Sequence, residues 1–392
     1  MHLVDTTLFY SPTSGGVRRY LTAKHEWHRR RGMWQHSLLV PGDLTLLNPG
    51  DISTLAGWKV PGTFNYRLPL APRRWTSLLD RLEPDFIEAG DAFHPAWCAI
   101  EVAARRGIPA VAFFHSHLPR LVGTRCGDGL GRMAGRYLRW LYERFDAVLA
   151  PSRIMCDYLR SLGLSRVHLQ PLGVDTLTFH PQRRQHTLRR QLGLPDDVRL
   201  LVYAGRFSGE KNIGVLHEAF ARLGTGYHLL MVGGGEALRP AANISIMPYQ
   251  RDSAALAGLL ASADALVHAG TAETFGLVVL EAMACGRPVV GVRAAAVAEL
   301  VDEQVGIPAA RADGDLFAQA VRDLYDRDID ALGRAARARV ESRFSWDRAL
   351  QQQVAFYAAL SEKKRTVPDV WATARRLPSA DQPIVPAGPS SS

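Results

Sequence analysis

The sequence predicts an α/β protein made of two doubly wound domains that face a central cleft. Three observations carry that expectation. The chain has 392 residues, more than one core of ordinary size organises. Short apolar runs alternate with helix-period segments along its length, the pattern of parallel sheets joined by helical crossovers. A passage rich in proline and glycine, Pro171-Leu172-Gly173 through Phe179-His180-Pro181, falls at mid-chain and divides two such alternations.

Composition narrows the class. Hydrophobic residues make up 47% and charged residues 22%, as in ordinary soluble globular proteins. No apolar run is long enough to span a bilayer. The opening MHLVDTTLFYSPTSGG lacks a basic region followed by an apolar one and is read as no secretory signal. Cys98, Cys126, Cys156 and Cys285 show no C-x-x-C spacing, which argues against zinc and against a disulfide framework and fits a reducing cytoplasm. The net charge of +9 is uneven: residues 1–180 hold 22 Lys+Arg against 15 Asp+Glu. A basic first half suits an anionic partner, or is simply a well-solvated surface.

In the first half, Leu3–Thr6 reads as an opening strand. The Ser11–Val17 turn follows, with a helix from about Val17 to Arg30. Gly15 and Gly16 ahead of a helix N-terminus suit either a plain turn or the close approach of a phosphate or sugar. Further strands are expected at Ser37–Val40, Phe86–Glu88, Ala110–Phe114 and Ala147–Ala150. Helices are expected at Trp75–Leu82, Trp97–Arg106, Met133–Phe145 and Arg153–Leu162. Ligands of such sheets bind beyond the carboxyl ends of the strands. His115 sits at one such end, where it can bond a substrate hydroxyl or carry a proton near neutral pH. Arg132, Arg136 and Arg139 share one helical face, flanked by Tyr137 and Trp140. They form either a solvated stripe or a contact for anionic lipid headgroups. The stretches 44–65 and 119–131 are too irregular to assign.

In the second half, strands are expected at Arg199–Ala204, His228–Val232, Ile244–Met247, Ala265–His268 and Pro288–Val292. The intervening helices are Ile213–Leu223, Ser253–Ala261 and Gly276–Cys285. Neither G-x-G-x-x-G nor G-x-x-x-x-G-K-[ST] follows the first strand, so the dinucleotide and P-loop fingerprints are missing. In their place is Gly205-Arg206-Phe207-Ser208-Gly209-Glu210-Lys211-Asn212. Arg206 and Lys211 on one loop, ahead of a helix N-terminus, suit a pyrophosphate. Glu273 and Glu281 follow, with Glu281 embedded in Leu277-Val278-Val279-Leu280 and Ala282-Met283-Ala284. Their spacing puts them on different parts of one ligand, and a carboxylate suits the vicinal hydroxyls of a ribose or hexose. Asp326-Arg327-Asp328-Ile329-Asp330 contains D-x-D, but it follows a helical stretch and is read as a polar turn between helices.

These residues resemble the retaining glycosyltransferases of family 4, group 1 type, over roughly residues 2–360. The likeness is sharpest in Gly205–Asn212 and in Glu273–Gly286, whose E-x7-E spacing is the family's hallmark. The resemblance implies the GT-B fold, two Rossmann-like domains with a C-terminal helix crossing back to the first. On that basis the acceptor-side domain spans 1–181, the nucleotide-sugar domain 182–345 and the crossover helix 346–364, with 365–392 a disordered tail. It implies that Arg206 and Lys211 neutralise the donor pyrophosphate, that Glu281 binds the ribose and that Glu273 binds hydroxyls of the transferred sugar. Backbone groups at Phe275, Gly276 and Leu277 assist Glu273. Gly15 and Gly16 approach the donor from the first domain, Gly205 opens the basic loop, His115 lines the sugar and acceptor site, and the loop at Pro248-Tyr249-Gln250 holds the base. Two departures stand out. Ala295-Ala296-Val297-Ala298-Glu299 replaces a Gly-Gly stretch, and His268-Ala269 replaces Pro-Ser. The form HAGTAETFG is similar to that of members using GDP-mannose.

The implied reaction moves a hexose from GDP-mannose or a UDP-hexose to a lipid, glycan or small-molecule hydroxyl, with retained configuration, no metal and no cofactor, the donor being a substrate. The implied partners are that donor and a lipid-linked or anionic acceptor, with peripheral contact of the basic first domain to the inner face of the membrane, a cytoplasmic location and no nucleic acid. A nucleotide-sugar epimerase or phosphorylase, or a non-catalytic partner of the same fold, is the competing reading. Base, sugar and acceptor stay open.

Overall fold

The computed structural model describes residues 1–11, 15–61, 66–236 and 241–366. Most of the expected tail lies outside the described residues, as does part of the turn before the first helix. Two separate parallel sheets form. In spatial order the first contains Ile52–Ala56, Gln35–Gly42, His2–Thr6, Phe86–Ala89, Ala110–Phe113, Ala147–Ala150 and Val167–Leu169. The second contains Ile244–Pro248, Tyr227–Gly235, Arg199–Phe207, Ala265–His268, Val289–Val292 and Gly306–Ala309. The strand order reverses beside the first strand of each set, so the crevice at that switch point opens over the strands' carboxyl ends. The central strands are buried along their whole length, because helices cover both faces of a parallel sheet. That is why they read as continuous apolar runs.

Several elements were hidden in irregular sequence, the edge strand Val167–Leu169 among them. Ile52–Ala56 is an edge strand and Leu118–Cys126 a helix, both within the stretches that local pattern left unassigned. Gly306–Ala309 pairs with Val289–Val292 although Pro308 interrupts its apolar run. Pro308 is tolerated because this strand is the sheet's edge. The strand from Arg199 runs to Phe207, three residues beyond the expected end, so Gly205 and Arg206 belong to the strand and not to the loop. Its pairing continues because Gly233 lies opposite Gly205, where a Cβ would come within 1.8 Å of the Gly205 carbonyl oxygen.

The last helix, Trp346–Thr366, returns across the first sheet's helices. Asp347 accepts from the Trp27 indole at 2.8 Å, and Lys364 donates to Asp146 at 2.9 Å. Between them lies a buried polar network. Lys24 donates to Asp5 at 2.9 Å and to Glu88 at 2.7 Å, and the Tyr20 hydroxyl donates to Glu88 at 2.9 Å. Gln353 and Tyr357 from the last helix complete it, Gln353 bonding Tyr20 at 2.7 Å and Tyr357 donating to Glu88. Burial pushes both carboxyls up while Lys24 opposes the shift. A buried charge is tolerable only when paired in this way, and the pairing specifies where the helix docks. At the crossing point Val174 donates to the Phe344 carbonyl at 2.8 Å. A Cβ on Gly173 would meet Trp346 at 2.7 Å.

Candidate active site in the cleft

The cleft chemistry begins at the end of the Arg199–Phe207 strand. A 3₁₀ turn, Gly209–Lys211, leads into the Ile213–Leu223 helix. Arg206 reaches solvent and pairs with Glu210 at 3.1 Å. Lys211 turns inward onto Glu273 Oε1, and His268 Nε2 meets the same oxygen at 2.9 Å. Burial alone would raise the Glu273 carboxyl; Lys211 and His268 overcome it and hold the group well below the usual carboxylate range. Asn212, in a left-handed conformation, donates to the Ala269 carbonyl at 2.9 Å and ties the basic turn to the Glu273 loop. His268 and Asn212 were not expected as site residues. Their role depends on the loop's path, which sequence spacing does not show.

Gly276, at φ +95°, lets the chain turn from the Glu273 loop into the Leu277–Ala284 helix. Phe275 is buried and packs edge-on against Phe344. Glu281 lies within the helix, 4% exposed, with Oε1 paired to Arg19 of the first helix, Gly16–Arg31. Its Oε2 is buried with no hydrogen-bond partner among the described residues. Gly16 faces this same helix: a Cβ there would lie 3.3 Å from Leu277 Cδ1. Gly15 caps the first helix and is exposed. Tyr249, past the end of Ile244–Pro248, interacts with Arg19.

His115 follows the Ala110–Phe113 strand. Its ring stacks on Phe113 at 4.1 Å and adjoins Tyr20 at 5.0 Å, and its Nε2 is buried with no hydrogen-bond partner among the described residues. Burial pushes the imidazole down to about 4, with Glu88 working against the shift. The expectation of a proton carrier near neutral pH is therefore corrected. The ring is neutral there, because packing against two aromatic rings removes the water that would solvate a cation. It remains able to hydrogen-bond a hydroxyl.

The two halves meet through the Glu273 loop. Arg120 donates to the Thr271 carbonyl at 2.8 Å. Thr274 donates to the His115 carbonyl at 2.9 Å, and Ser152 donates to the Thr274 carbonyl at 2.9 Å. Glu299 accepts from the backbone N–H groups of Arg153 at 3.0 Å and Ile154 at 2.7 Å, capping a helix of the opposite half. This gives a place to the residue whose Gly-Gly context is altered. The D-x-D segment is an interhelix turn, with Asp328 capping Ile329–Arg343.

The comparisons agree with this geometry. Residues 14–177 match the family described as Glycosyltransferase Family 4, and residues 198–327 match Glycosyl transferases group 1. A Mycobacterium tuberculosis GDP-mannose-dependent alpha-(1-6)-phosphatidylinositol dimannoside mannosyltransferase is 31% identical, the alignment covering 93% of this chain and 98% of the relative. A D-inositol 3-phosphate glycosyltransferase of Xylanimonas cellulosilytica is 32% identical over 68% of this chain and 70% of its own. Among solved structures, sucrose-phosphate synthase from Thermosynechococcus elongatus has TM-score 0.76 at 20% identity, covering 92% of this chain and 99% of that one. Anabaena HepE in complex with UDP and glucose has TM-score 0.73 at 20% identity, covering 91% and 99%. A GT-B architecture with a basic turn and two glutamates in its second half, matched over nearly the whole length of a mannosyltransferase, places this chain in the group 1 glycosyltransferases of family 4, as a hexosyltransferase using a nucleotide-sugar donor.

Proposed function

We propose that the chain is a retaining, metal-independent mannosyltransferase that moves mannose from GDP-mannose to a hydroxyl of an inositol phospholipid. The observation that carries this is the full-length similarity to the mycobacterial phosphatidylinositol dimannoside mannosyltransferase. In this reading Arg206, Lys211 and the N-terminus of Ile213–Leu223 stabilise negative charge as it develops on the leaving β-phosphate. The positive charge comes from side chains, so the chemistry asks for no metal. Glu273, ionised and held by Lys211 and His268, takes sugar hydroxyls through its remaining acceptor capacity, with backbone groups from Phe275 to Leu277 beside it. Glu281 takes the ribose, and the loop at Tyr249 borders the base. The acceptor attacks from the face the donor phosphate leaves, and that phosphate receives the proton. Neutral His115 orients a hydroxyl. Closure of the two halves excludes water from the activated sugar.

The acceptor side supports a phospholipid headgroup. A cavity of ≈ 700 Å³ lies between helices Leu118–Cys126, Asp128–Tyr142 and Arg153–Ser161. Arg120, Arg132, Arg136 and Arg139 line it against one acid, Asp128. Leu130, Met133 and Trp140 are exposed on the same helix as three of these arginines. Cations beside exposed apolar side chains suit an anionic membrane surface. Among the described residues no helix is long and apolar enough to cross a membrane, so contact in this reading is peripheral.

The test is transfer of radiolabelled mannose from GDP-mannose to phosphatidylinositol mannosides in mixed micelles, with and without EDTA, and NMR of the product anomer. An α-linked product formed equally in EDTA is expected. Transfer only from a UDP-sugar would overturn the donor, and loss of transfer in EDTA would overturn metal independence.

A further inference from the structure

Glu281 is a buried carboxylate with one oxygen spoken for and one vacant. Oε1 is paired with Arg19, a residue 262 positions away that belongs to the opposite half of the cleft. Oε2 is buried and has no partner among the described residues. A buried acceptor left unsatisfied is costly, so a ligand donor belongs there. Gly16, one turn before Arg19, brings the first helix close to the Leu277–Ala284 helix, where a Cβ would stand 3.3 Å from Leu277 Cδ1 and press on it. Burial opposes charge on the guanidinium, but Glu281 and Tyr249 outweigh it and raise its pKa further, so it remains a full cation.

From this geometry we infer that Arg19 is a positioning residue for the nucleotide ribose. It orients Glu281 from across the cleft, so the ribose site is complete only when the two halves are closed. The inference rests on the reading of Glu281 as the ribose acceptor. Arg19 occupies one carboxylate oxygen and leaves the other for a ribose hydroxyl. Donor binding and closure then become one event: the nucleotide binds the closed arrangement more tightly and shifts the population toward it. A rival geometry is possible to state and to test, in which Arg19 merely plugs the empty site and must leave before the nucleotide enters.

Calorimetric titration of the full chain with GDP and UDP distinguishes these, using wild type, Arg19→Ala and Arg19→Lys, each checked for native circular dichroism. The same titrations are made with the 2′,3′-dideoxy form of whichever nucleotide binds. Arg19→Ala is expected to weaken that nucleotide about 10- to 100-fold, the range lost with one charge-assisted hydrogen bond. Arg19→Lys should recover part of the loss. The dideoxy nucleotide, lacking the hydroxyls, should lose less than about threefold on the same substitution, since the two perturbations remove one coupled interaction. Unchanged or tighter binding by Arg19→Ala overturns the inference and supports the plug. An equal loss with both nucleotides also overturns it, because Arg19 would then act on the phosphates or on the fold at large. A wild type that binds neither nucleotide refutes the ribose site itself, and with it the donor reading; wild-type binding with an indifferent Arg19 refutes the inference alone.

Discussion

Replacing Lys211 by Ala removes two things at once, and the structure separates them. Lys211 and Glu273 are each mostly buried, with side chains 18% and 16% exposed, and they share a hydrogen bond. In the proposed reading the first loss is the cation facing the leaving phosphate. A preorganised group of this kind is worth about 3 kcal/mol at the transition state, so kcat should fall roughly two orders of magnitude. The second loss concerns Glu273. Burial raises its carboxyl and Lys211 is the leading group that lowers it, with His268 second at 2.9 Å. Without Lys211 burial remains and its leading opponent goes. The sign follows: the wild-type carboxyl is depressed, so it stays ionised through the mildly acidic range and loses its charge only as pH falls far below its ordinary value. In Lys211→Ala the proton returns earlier, and the acid limb of kcat should move upward, toward the ordinary carboxylate range near about pH 4. Steady-state transfer measured at constant ionic strength from about pH 3 to 9, over the range in which circular dichroism shows the native fold, reads both effects. Retention of more than a tenth of kcat with an unmoved acid limb would refute the placement of Lys211 between phosphate and Glu273.

Other consequences follow from particular contacts. Because His115 is neutral with a pKa of about 4, wild-type kcat/KM should show no limb near pH 6.5, and His115→Asn should keep more activity than His115→Ala; a limb near 6.5 that disappears in His115→Asn would contradict this. Glu299→Ala deletes a carboxylate from a helix N-terminus across the cleft, a contribution of about 1 kcal/mol, so the donor KM should rise about fivefold with little change in melting temperature, as kinetics and calorimetry would show. Gly233→Ala forces a Cβ to within 1.8 Å of the Gly205 carbonyl; strand displacement should cost about 2 kcal/mol or more, and a variant as stable as wild type in urea would show that the pairing at Gly205 is not required.

Much of the fold was legible because each central strand is buried on both faces and so announces itself as an apolar run between turn residues. The two sheets and the placement of Glu273 ahead of Glu281 follow from local pattern and motif spacing, and the crossing helix from the resemblance to the family. Ile52–Ala56 and Leu118–Cys126 were not legible, since an edge strand and a short exposed helix bury too little to impose a period. The end of the Arg199–Phe207 strand was misjudged because pairing beyond Ala204 is decided by the glycines of a neighbouring strand.

For the site, sequence by itself determined which groups bring charge: a basic turn before a helix, a loop carboxylate and a carboxylate inside an apolar helix. Those identities depend on residue type and on short spacing, which a single chain displays. Tertiary structure alone decided what each charge faces. It turned Lys211 and His268 onto one oxygen of Glu273, brought Arg19 across 262 residues to Glu281, wedged His115 between aromatic rings until it was neutral, and set Glu299 on the opposite half's helix. Contacts of that kind carry no local signature, because they are set by how two separately folded sheets close on each other, and the free energy of each charge depends on that closure.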